Sequence, residues 1–385
     1  MPHLYLKNLK EVQYPIEKNG VKFLFKVDDI YYKKEDNKNF NLIACEIENR
    51  KFFIILQKRG EKYLLKYDKI TRPLSSYLKR AYLSFIQISE AEIISSNIEG
   101  IRDKQPQKYL LTIDDNLNFN DEIIVEIGFG SGRHLLHLAK KYPKKIIIGI
   151  EIHKPSIEQV LKRCELENIS NIRIIDYDGR LVLSKIQSNR VHSIYVHFPV
   201  PWDKKPHRRV ISEYFINEAI RVLKKDGFLH LRTDSDNYFE YSFNQFMKLN
   251  KNELKIYKNR ELEVSSKYED RWKKMNKNIY DIFLINDTIS SEIEENFNFA
   301  FDNCLDISKI EKRAYLFDEF VIHFESILQI DEKRVLIKLT MGAFERPEHL
   351  YIVVGEESYY FNNPVKHKLN QKAHNKLKEM LSCQK

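Results

Sequence analysis

A glycine-rich turn gives the first indication of chemistry in this chain. Residues 126–133 read EIGFGSGR, and they complete an apolar run, IIVEI. Glycines in such a turn let the backbone bend sharply and approach a ligand, and a following helix presents free N–H groups to it. The turn is therefore predicted to bind a nucleotide-type cofactor, with Glu126, Gly128 and Gly130 among the contacts.

The spacing of these glycines separates two classes of cofactor. A dinucleotide fingerprint has the form GxGxxG, and Arg133 occupies its last position here. The observed form, ExGxGxG, is typical of enzymes that use S-adenosylmethionine (SAM). A dehydrogenase is disfavoured for the same reason.

Acidic residues follow at the ends of the next two apolar runs. Glu151 ends IIIGIEI, where a ribose-binding carboxylate is expected. Asp178 lies in the turn DYDGR and is predicted to reach the adenine amino group, with Asp176 as the alternative. A tight turn followed by solvated acids is the competing interpretation.

A second candidate site is the stretch VHFPVPWDKKPHRRV at residues 196–210. Its prolines stiffen the exit from a strand and remove backbone donors. Five basic or imidazole side chains follow, namely Lys204, Lys205, His207, Arg208 and Arg209. Single-stranded RNA is commonly recognised by stacking faces combined with positive charge, so RNA is the favoured partner. A solvated basic loop with Trp202 packed in the core remains the alternative.

These residues need a scaffold that brings strand ends together. Over residues 106–289, strand-like runs alternate with helical ones, which predicts an α/β domain with a mostly parallel, Rossmann-like sheet. In such a sheet the carboxyl ends of the strands border one crevice. Residues 1–105 are predicted to form a small β-rich extension, and residues 290–385 an α+β extension.

Composition limits the class of protein. Hydrophobic residues make up 43% and charged residues 31% of the 385 residues, as in a globular protein. The net charge of +9 suits a polyanionic partner. No apolar run is long enough for a membrane span, so we expect a cytoplasmic protein with no membrane partner. The four cysteines are far apart and are expected to be reduced.

Several motifs together resemble the bacterial tRNA (guanine-N7-)-methyltransferases. They are EIGFGSG, IGIE, FPVPWDKKPHRR, RTD at residues 232–234 and SSKYEDRW at residues 265–272, and they span about residues 123–285. The resemblance implies a long form of that family, with methyl transfer from SAM to N7 of a guanosine in tRNA, guanosine 46 of the variable loop. It implies SAM-binding roles for Glu126, Glu151 and Asp178. It implies tRNA contacts for Lys204, Asp234, Ser266, Lys267, Tyr268 and Glu269. Arg208 is added to this set because of its positive charge in the same loop.

One residue departs from the family pattern. The middle position of the FPxPW loop is commonly aspartate, and here it is Val200. N7 of guanine carries a free lone pair, so no general base is obligatory, and we expect Val200 to pack against the target base or SAM in an active enzyme. Asp234, the candidate catalytic residue, or Glu269 would accept the N1–H and N2–H groups of guanine.

Two other functions remain open from the sequence. One is a SAM-dependent methyltransferase for a small molecule, and the other is a non-catalytic RNA-binding protein with a vestigial SAM pocket, which Val200 favours. DNA is not expected as a partner. The oligomeric state does not follow from these patterns.

Overall fold

The computed structural model describes residues 2–28, 40–101, 107–113, 115–251, 253–264, 269, 275, 277–292, 296–301 and 305–383. The chain divides into two compact units. One contains residues 106–296, and the other is built from residues 1–105 together with 297–385. Where the sequence predicted two separate extensions, the structure therefore groups both in a single unit.

The N-terminal part of that unit is a set of antiparallel strands and one helix. They are β1 (His3–Lys7), β2 (Ile16–Lys18), β3 (Val21–Asp28), β4 (Phe40–Ile47), β5 (Arg50–Arg59), β6 (Lys62–Tyr67), α1 (Ser75–Ile88) and β7 (Glu92–Ser96). The turn between β4 and β5 uses Glu48 and Asn49, both with positive φ, which suits the right-handed twist of a hairpin. Tyr82 and Phe85 of α1 lie in the same apolar core as the strands.

The central unit has the alternating pattern predicted for residues 106–289. Its strands are β8 (Leu110–Leu111), β9 (Ile123–Ile127), β10 (Ile146–Ile150), β11 (Ile172–Ile175), β12 (Val191–His197), β13 (Leu223–Thr233), β14 (Glu253–Lys258) and β15 (Tyr280–Ile285). Its helices are α2 (Arg133–Lys141), α3 (Lys154–Leu166), α4 (Gly179–Val182), α5 (Glu213–Val222) and α6 (Asp236–Phe246).

The strand order of the central sheet is β14-β15-β13-β12-β9-β10-β11-β8. Strands β8 to β13 pair in parallel, and β15 and β14 complete the sheet in antiparallel orientation. The order reverses at β9, which lies between β10 and β12. A crevice beyond the carboxyl ends of strands at such a reversal is the usual ligand site of open α/β sheets.

The C-terminal segment completes the first unit. It contains β16 (Ala314–Leu316), β17 (Phe320–Gln329), β18 (Val335–Ala343), β19 (Glu348–Val354), β20 (Tyr359–Tyr360) and a final helix, α7 (Lys368–Leu381). Strand β17 pairs with β3 through Gln329 and Asp28, so one sheet of 12 strands includes both ends of the chain. The rings of Phe53 and Phe361 stack with centroids 4.1 Å apart, and burial of such apolar groups from both segments explains why they fold together.

Two sequence expectations can be compared with the structure directly. Within the described residues, no helix combines the length and apolar character that a bilayer crossing demands. Cys45 and Cys164 are free, buried thiols, as expected. The expectation of reduced cysteines is wrong for Cys383, which is disulfide-bonded.

Candidate active site

The glycine-rich turn connects β9 to α2 at the carboxyl edge of the sheet. Gly128, Gly130 and Gly132 have φ values of 72°, 51° and 71°. A Cβ atom at Gly128 or Gly130 would meet nothing within 4 Å, whereas one at Gly132 would lie 2.2 Å from Cγ2 of Val160. The first two glycines therefore leave open space beside the turn, and the third allows α2 to pack against α3.

Glu151 lies beside this turn, just beyond β10. Its Oε2 accepts a hydrogen bond from the backbone N–H of Gly130 at 2.9 Å, and its Oε1 accepts from the N–H groups of Ile152 and His153 at 2.8 and 3.0 Å. A carboxylate offers about four acceptor sites. Glu151 thus shapes the turn and retains acceptor capacity for a ribose hydroxyl, the role predicted for it.

Asp178 caps the next strand-to-helix turn. Its Oδ1 accepts from the backbone N–H of Arg180 at 3.0 Å, and its Oδ2 pairs with the guanidinium of the same residue at 2.7 Å. The alternative acid, Asp176, pairs with Nζ of Lys154 at 2.6 Å. Since both carboxylates already have cationic partners, a contact between Asp178 and adenine stays a prediction.

Glu126 is a buried carboxylate at the end of β9, with only 3% of its surface exposed. Its Oε2 lies 3.2 Å from Nδ1 of His134, and within the described chain neither atom makes a hydrogen bond. A buried acceptor without a donor is costly. This orphaned oxygen beside the glycine turn fits the α-ammonium of SAM, which is a cationic donor.

A ring nitrogen of His197 completes a group of three possible metal donors with Glu126 and His134, all within 4.8 Å of one another. However, Nε2 of His197 is already engaged with Nδ1 of His230 at 3.0 Å. Oε2 of Glu126 and Nδ1 of His134 lie at ion-pair distance, 3.2 Å, but without hydrogen-bond geometry.

The proline-containing loop follows β12 and is held in an unusual conformation. Phe198 and Trp202 have φ values of 50° and 47°, which non-glycine residues adopt only where the surroundings support them. Part of that support is Arg209, a buried side chain whose Nε donates to the carbonyl of Pro201 at 2.7 Å. Val200 is 60% exposed at the tip of this loop.

The basic residues of the loop divide into two groups. Lys204, Lys205, His207 and Arg208 are exposed. Arg209 is buried, pairs with Asp203 at 3.2 Å and lies 4.4 Å from the ring centroid of Tyr241. Trp202 is 37% exposed, with the guanidinium of Arg208 5.1 Å from its ring centroid. The indole therefore lies on the surface, and the alternative of core packing is wrong.

Asp234 follows β13, the neighbour of β12. Its Oδ2 accepts a hydrogen bond from Nζ of Lys277 at 3.1 Å, and 19% of its side chain is exposed. Parallel pairing of the two strands brings their carboxyl ends to the same edge. Asp234 is therefore available at the edge where the guanine is predicted to lie.

Glu269, predicted to contact tRNA, is a buried side chain beside Arg232. It is 1% exposed, and its Oε1 accepts from Nη2 of Arg232 at 3.0 Å. Its neighbours in the predicted tRNA contact, Ser266, Lys267 and Tyr268, lie outside the described residues. Glu269 is therefore buried against Arg232 of β13, and its contact with tRNA stays a prediction.

Arg232 belongs to a buried polar chain that sequence reasoning missed. Its Nη1 pairs with both carboxylate oxygens of Asp281 at 2.7 and 2.5 Å, and Asp281 Oδ1 lies 2.7 Å from Nε2 of His230. Burial lowers the pKa of both His230 and His197. The run HLR in β13 could have indicated these buried polar groups, because it places a histidine and an arginine on either side of a leucine in an apolar strand.

The chain is similar to known methyltransferases over its whole length. A family model described as a putative methyltransferase matches residues 120–282. A tRNA (guanine-N(7)-)-methyltransferase of Wolinella succinogenes is 40% identical over 99% of this chain and 100% of its own length. Relatives with the same name from Campylobacter jejuni and Helicobacter pylori are 39% and 38% identical, and each comparison covers 99% or more of both chains.

Solved methyltransferase structures are similar to part of the chain. The 16S rRNA methyltransferase KamB has a TM-score of 0.35 and 12% identity, covering 44% of this chain and 89% of its own. A putative methyltransferase from Streptococcus mutans, solved in complex with SAH, has a TM-score of 0.33 and 11% identity, covering 44% and 90%. The full-length similarity to the three named relatives is far stronger, and on that basis the chain belongs to the tRNA (guanine-N(7)-)-methyltransferase family.

Proposed function

We propose that this protein transfers a methyl group from SAM to N7 of a guanosine in tRNA, and that the acceptor is guanosine 46 of the variable loop. The observation that carries the proposal is the similarity over 99% of the chain to tRNA (guanine-N(7)-)-methyltransferases. The glycine turn and the basic, proline-containing loop at neighbouring strand ends support it.

The reaction requires no acid–base catalysis at N7 from the protein. SAM supplies a methyl group on a sulfonium; the N7 lone pair forms the new bond to carbon as the S–C bond breaks, leaving SAH and a cationic 7-methylguanosine. No proton is removed from N7, so no general base is required. The protein's main contribution is alignment, which can be worth about 7–11 kcal/mol in favourable cases.

Cofactor binding is assigned to the turn after β9 and its acidic neighbours. The open space beside Gly128 and Gly130 would admit the amino-acid end of SAM, where Glu126 offers an unsatisfied carboxylate oxygen. Glu151 would accept from the ribose hydroxyls, and Asp178 would face the adenine.

The tRNA would lie across the proline-containing loop. Lys204 and Arg208 are exposed cations that suit its phosphates, and Trp202 offers a partly exposed indole face. Asp234 would accept from the Watson–Crick edge of the guanine. Val200, which is exposed and apolar, would contact the base or SAM where other family members have aspartate.

The test is methyl transfer from labelled SAM to unmodified tRNA, with tRNA made with 7-deazaguanosine in parallel. Incorporation that disappears with the deaza substrate is expected and identifies N7 as the acceptor. Incorporation into a small molecule in the absence of RNA would instead favour the small-molecule enzyme.

A third possible outcome of this test is binding without methyl transfer. Binding of SAM and tRNA without incorporation into either RNA would identify a vestigial pocket. The variant Val200→Asp would then show whether the valine is responsible.

A further inference from the structure

Arg180 connects the predicted adenine site to the proline-containing loop. Its Nε lies 3.1 Å from Oδ1 of Asp178, and its Nη2 lies 2.7 Å from Oδ2 of the same carboxylate. Its other terminal nitrogen, Nη1, donates to the carbonyl oxygen of His207 at 3.3 Å. One guanidinium therefore contacts a residue assigned to the cofactor and a residue of the loop assigned to tRNA.

The planar guanidinium of Arg180 fixes these two contacts relative to each other. The fork of Nε and Nη2 matches the two oxygens of a carboxylate, and Nη1 then points in a set direction. A change in the orientation of the Asp178 carboxylate therefore moves Nη1 relative to His207. The bond from Nη1 is longer than the usual range of about 2.7–3.2 Å, so it can shorten when the carboxylate is held.

Asp178 remains accessible to a ligand although it is paired with Arg180. The side chain of Asp178 is 36% exposed, whereas that of Arg180 is 16% exposed. The backbone N–H of Arg180 also donates to Oδ1 of Asp178 at 3.0 Å, which holds the acid and its partner together. An amino group that donates to Asp178 from the exposed side would therefore restrict the guanidinium as well as the carboxylate.

His207 lies in the short turn Pro206–Arg208 of the proline-containing loop. This turn is compact, because the N–H of Arg208 donates to the carbonyl of Lys205 at 2.9 Å. The side chains of His207 and Arg208 are exposed, and Arg208 is a predicted tRNA contact. Fixing the carbonyl of His207 therefore restricts the backbone that presents these side chains to RNA.

We infer that Arg180 is a positioning residue that couples the two substrates. SAM, through its adenine at Asp178, and tRNA, through the proline-containing loop, increase each other's affinity. The inference rests on the proposed function, which supplies both ligands. Coupling between two binding sites is reciprocal, so the cofactor raises tRNA affinity by the same factor as tRNA raises cofactor affinity. We expect a factor of about five or more, as is usual for coupled sites.

The test measures the Kd for tRNA with and without saturating SAH, which carries the same adenosine as SAM but no methyl group to transfer. In the unmodified protein SAH should lower this Kd about fivefold or more, and in Arg180→Lys by less than twofold. Lysine keeps the positive charge but lacks the fork that reaches Asp178 and His207 together. Both Kd values come from the same variant, so a uniform loss of tRNA affinity leaves their ratio unchanged. A full effect of SAH in Arg180→Lys would overturn the inference.

The matched control is Arg163→Lys. Arg163 also pairs with a carboxylate, that of Glu167 at 2.8 Å, but it does so at the C-terminal end of α3. The full effect of SAH on tRNA binding should remain in this variant. Its loss would show that the effect does not depend on Arg180 specifically.

A cofactor analogue tests the contribution of Asp178 without any mutation. S-Inosylhomocysteine has an oxo group in place of the adenine amino group, so it offers no donor to the carboxylate at that position. At saturating concentration it should lower the Kd for tRNA by less than twofold in the unmodified protein. An effect equal to that of SAH would overturn the route through Asp178 and Arg180. This measurement also decides the inference should Arg180→Lys fail to fold.

Amide exchange reports on the loop itself. SAH should slow exchange of the Arg208 N–H in the unmodified protein, because the turn is then held through His207. In Arg180→Lys the same exchange rate should not respond to SAH. Equal slowing in both proteins, or no slowing in the unmodified protein, would contradict the inference.

The inference and the proposed function fail on different measurements. No methyl transfer to tRNA by the unmodified protein would remove the proposed function. Methyl transfer together with equal tRNA Kd values in the presence and absence of SAH would remove only the role of Arg180.

Discussion

The backbone N–H of Gly130 donates a 2.9 Å hydrogen bond to Oε2 of Glu151. This bond ties the turn after β9 to the end of β10, so the carboxylate both shapes the cofactor turn and borders it. We expect Glu151→Ala to weaken SAH binding about 10- to 100-fold, since a hydrogen bond to a charged group contributes roughly 1.5–3 kcal/mol. Titration calorimetry measures this. The exposed Glu165→Ala on α3 is the control, and equal affinities in the two variants would contradict the assignment.

Alanine substitutions at Gly130 and Gly132 should affect different properties, namely SAH affinity and stability. Both have positive φ, which costs an alanine about 1–2 kcal/mol. At Gly132 the new methyl group would also clash with Val160, adding roughly 1–3 kcal/mol of overpacking. Urea unfolding should therefore show the greater destabilisation for Gly132→Ala, partly relieved by Val160→Ala. Gly130→Ala should stay folded and lose SAH affinity.

The parts of the site that lie at strand ends could be predicted from the sequence. Periodicity places the glycine turn, Glu151 and Asp234 after apolar runs, and the carboxyl ends of parallel strands meet at one edge. The pairing of Arg232 with Asp281 could not be predicted, because it depends on the register of β13 against β15. Strand β14, ELKIYK, does not stand out in the sequence as an apolar run, because half of its residues are charged.

The union of the two extensions was also beyond sequence reasoning. From the sequence, the first extension reads as a small β-rich domain and the second as a separate α+β segment. The contacts of Phe53 with Tyr351 and Phe361 show that the segments complete a common core.

Lys204 and Arg208 should differ from Arg209 in their effect on tRNA binding. Replacing either exposed cation by alanine should weaken binding and reduce the slope of log Kd against log salt by about 1, as expected when one phosphate contact is lost. Arg209→Ala should instead destabilise the protein, because this buried side chain bonds Pro201 and Asp203. Filter binding across a salt series checks the first expectation and thermal unfolding the second. An unchanged slope in both exposed variants would remove them from the RNA interface.

Asp234→Ala should nearly abolish methyl transfer while leaving SAH affinity intact. The reason is its place at the end of β13, beside the loop that is predicted to hold the guanine. Its partner Lys277 provides the control: Lys277→Ala removes the same ion pair but keeps the carboxylate. Single-turnover rates with saturating tRNA separate the two variants. Comparable rates for both would assign the effect to the ion pair.

Stability should fall as the pH drops below about 6.5, the ordinary pKa of histidine. Burial holds the pKa of His197 and His230 below that value in the folded protein. Between the folded and unfolded pKa values the unfolded chain binds more protons, so unfolding is favoured by up to about 1.4 kcal/mol per pH unit for each histidine. Urea midpoints between pH 5 and pH 7.5 measure the slope, which should be shallower in His197→Asn. Identical slopes would show that other groups control the acid sensitivity.

The pairing of β17 with β3 has a consequence for synthesis on the ribosome. Strand β3 emerges before residues 106–296, and its partner β17 emerges after them. At about 5–20 residues per second, synthesis of the chain between the end of β3 and the start of β17 takes roughly 15–60 s. During this interval the nascent N-terminal strands have an unpaired edge and an apolar face around Phe53 that awaits Phe361. The unit of residues 106–296 can fold first, while the other unit is completed only when translation is almost finished.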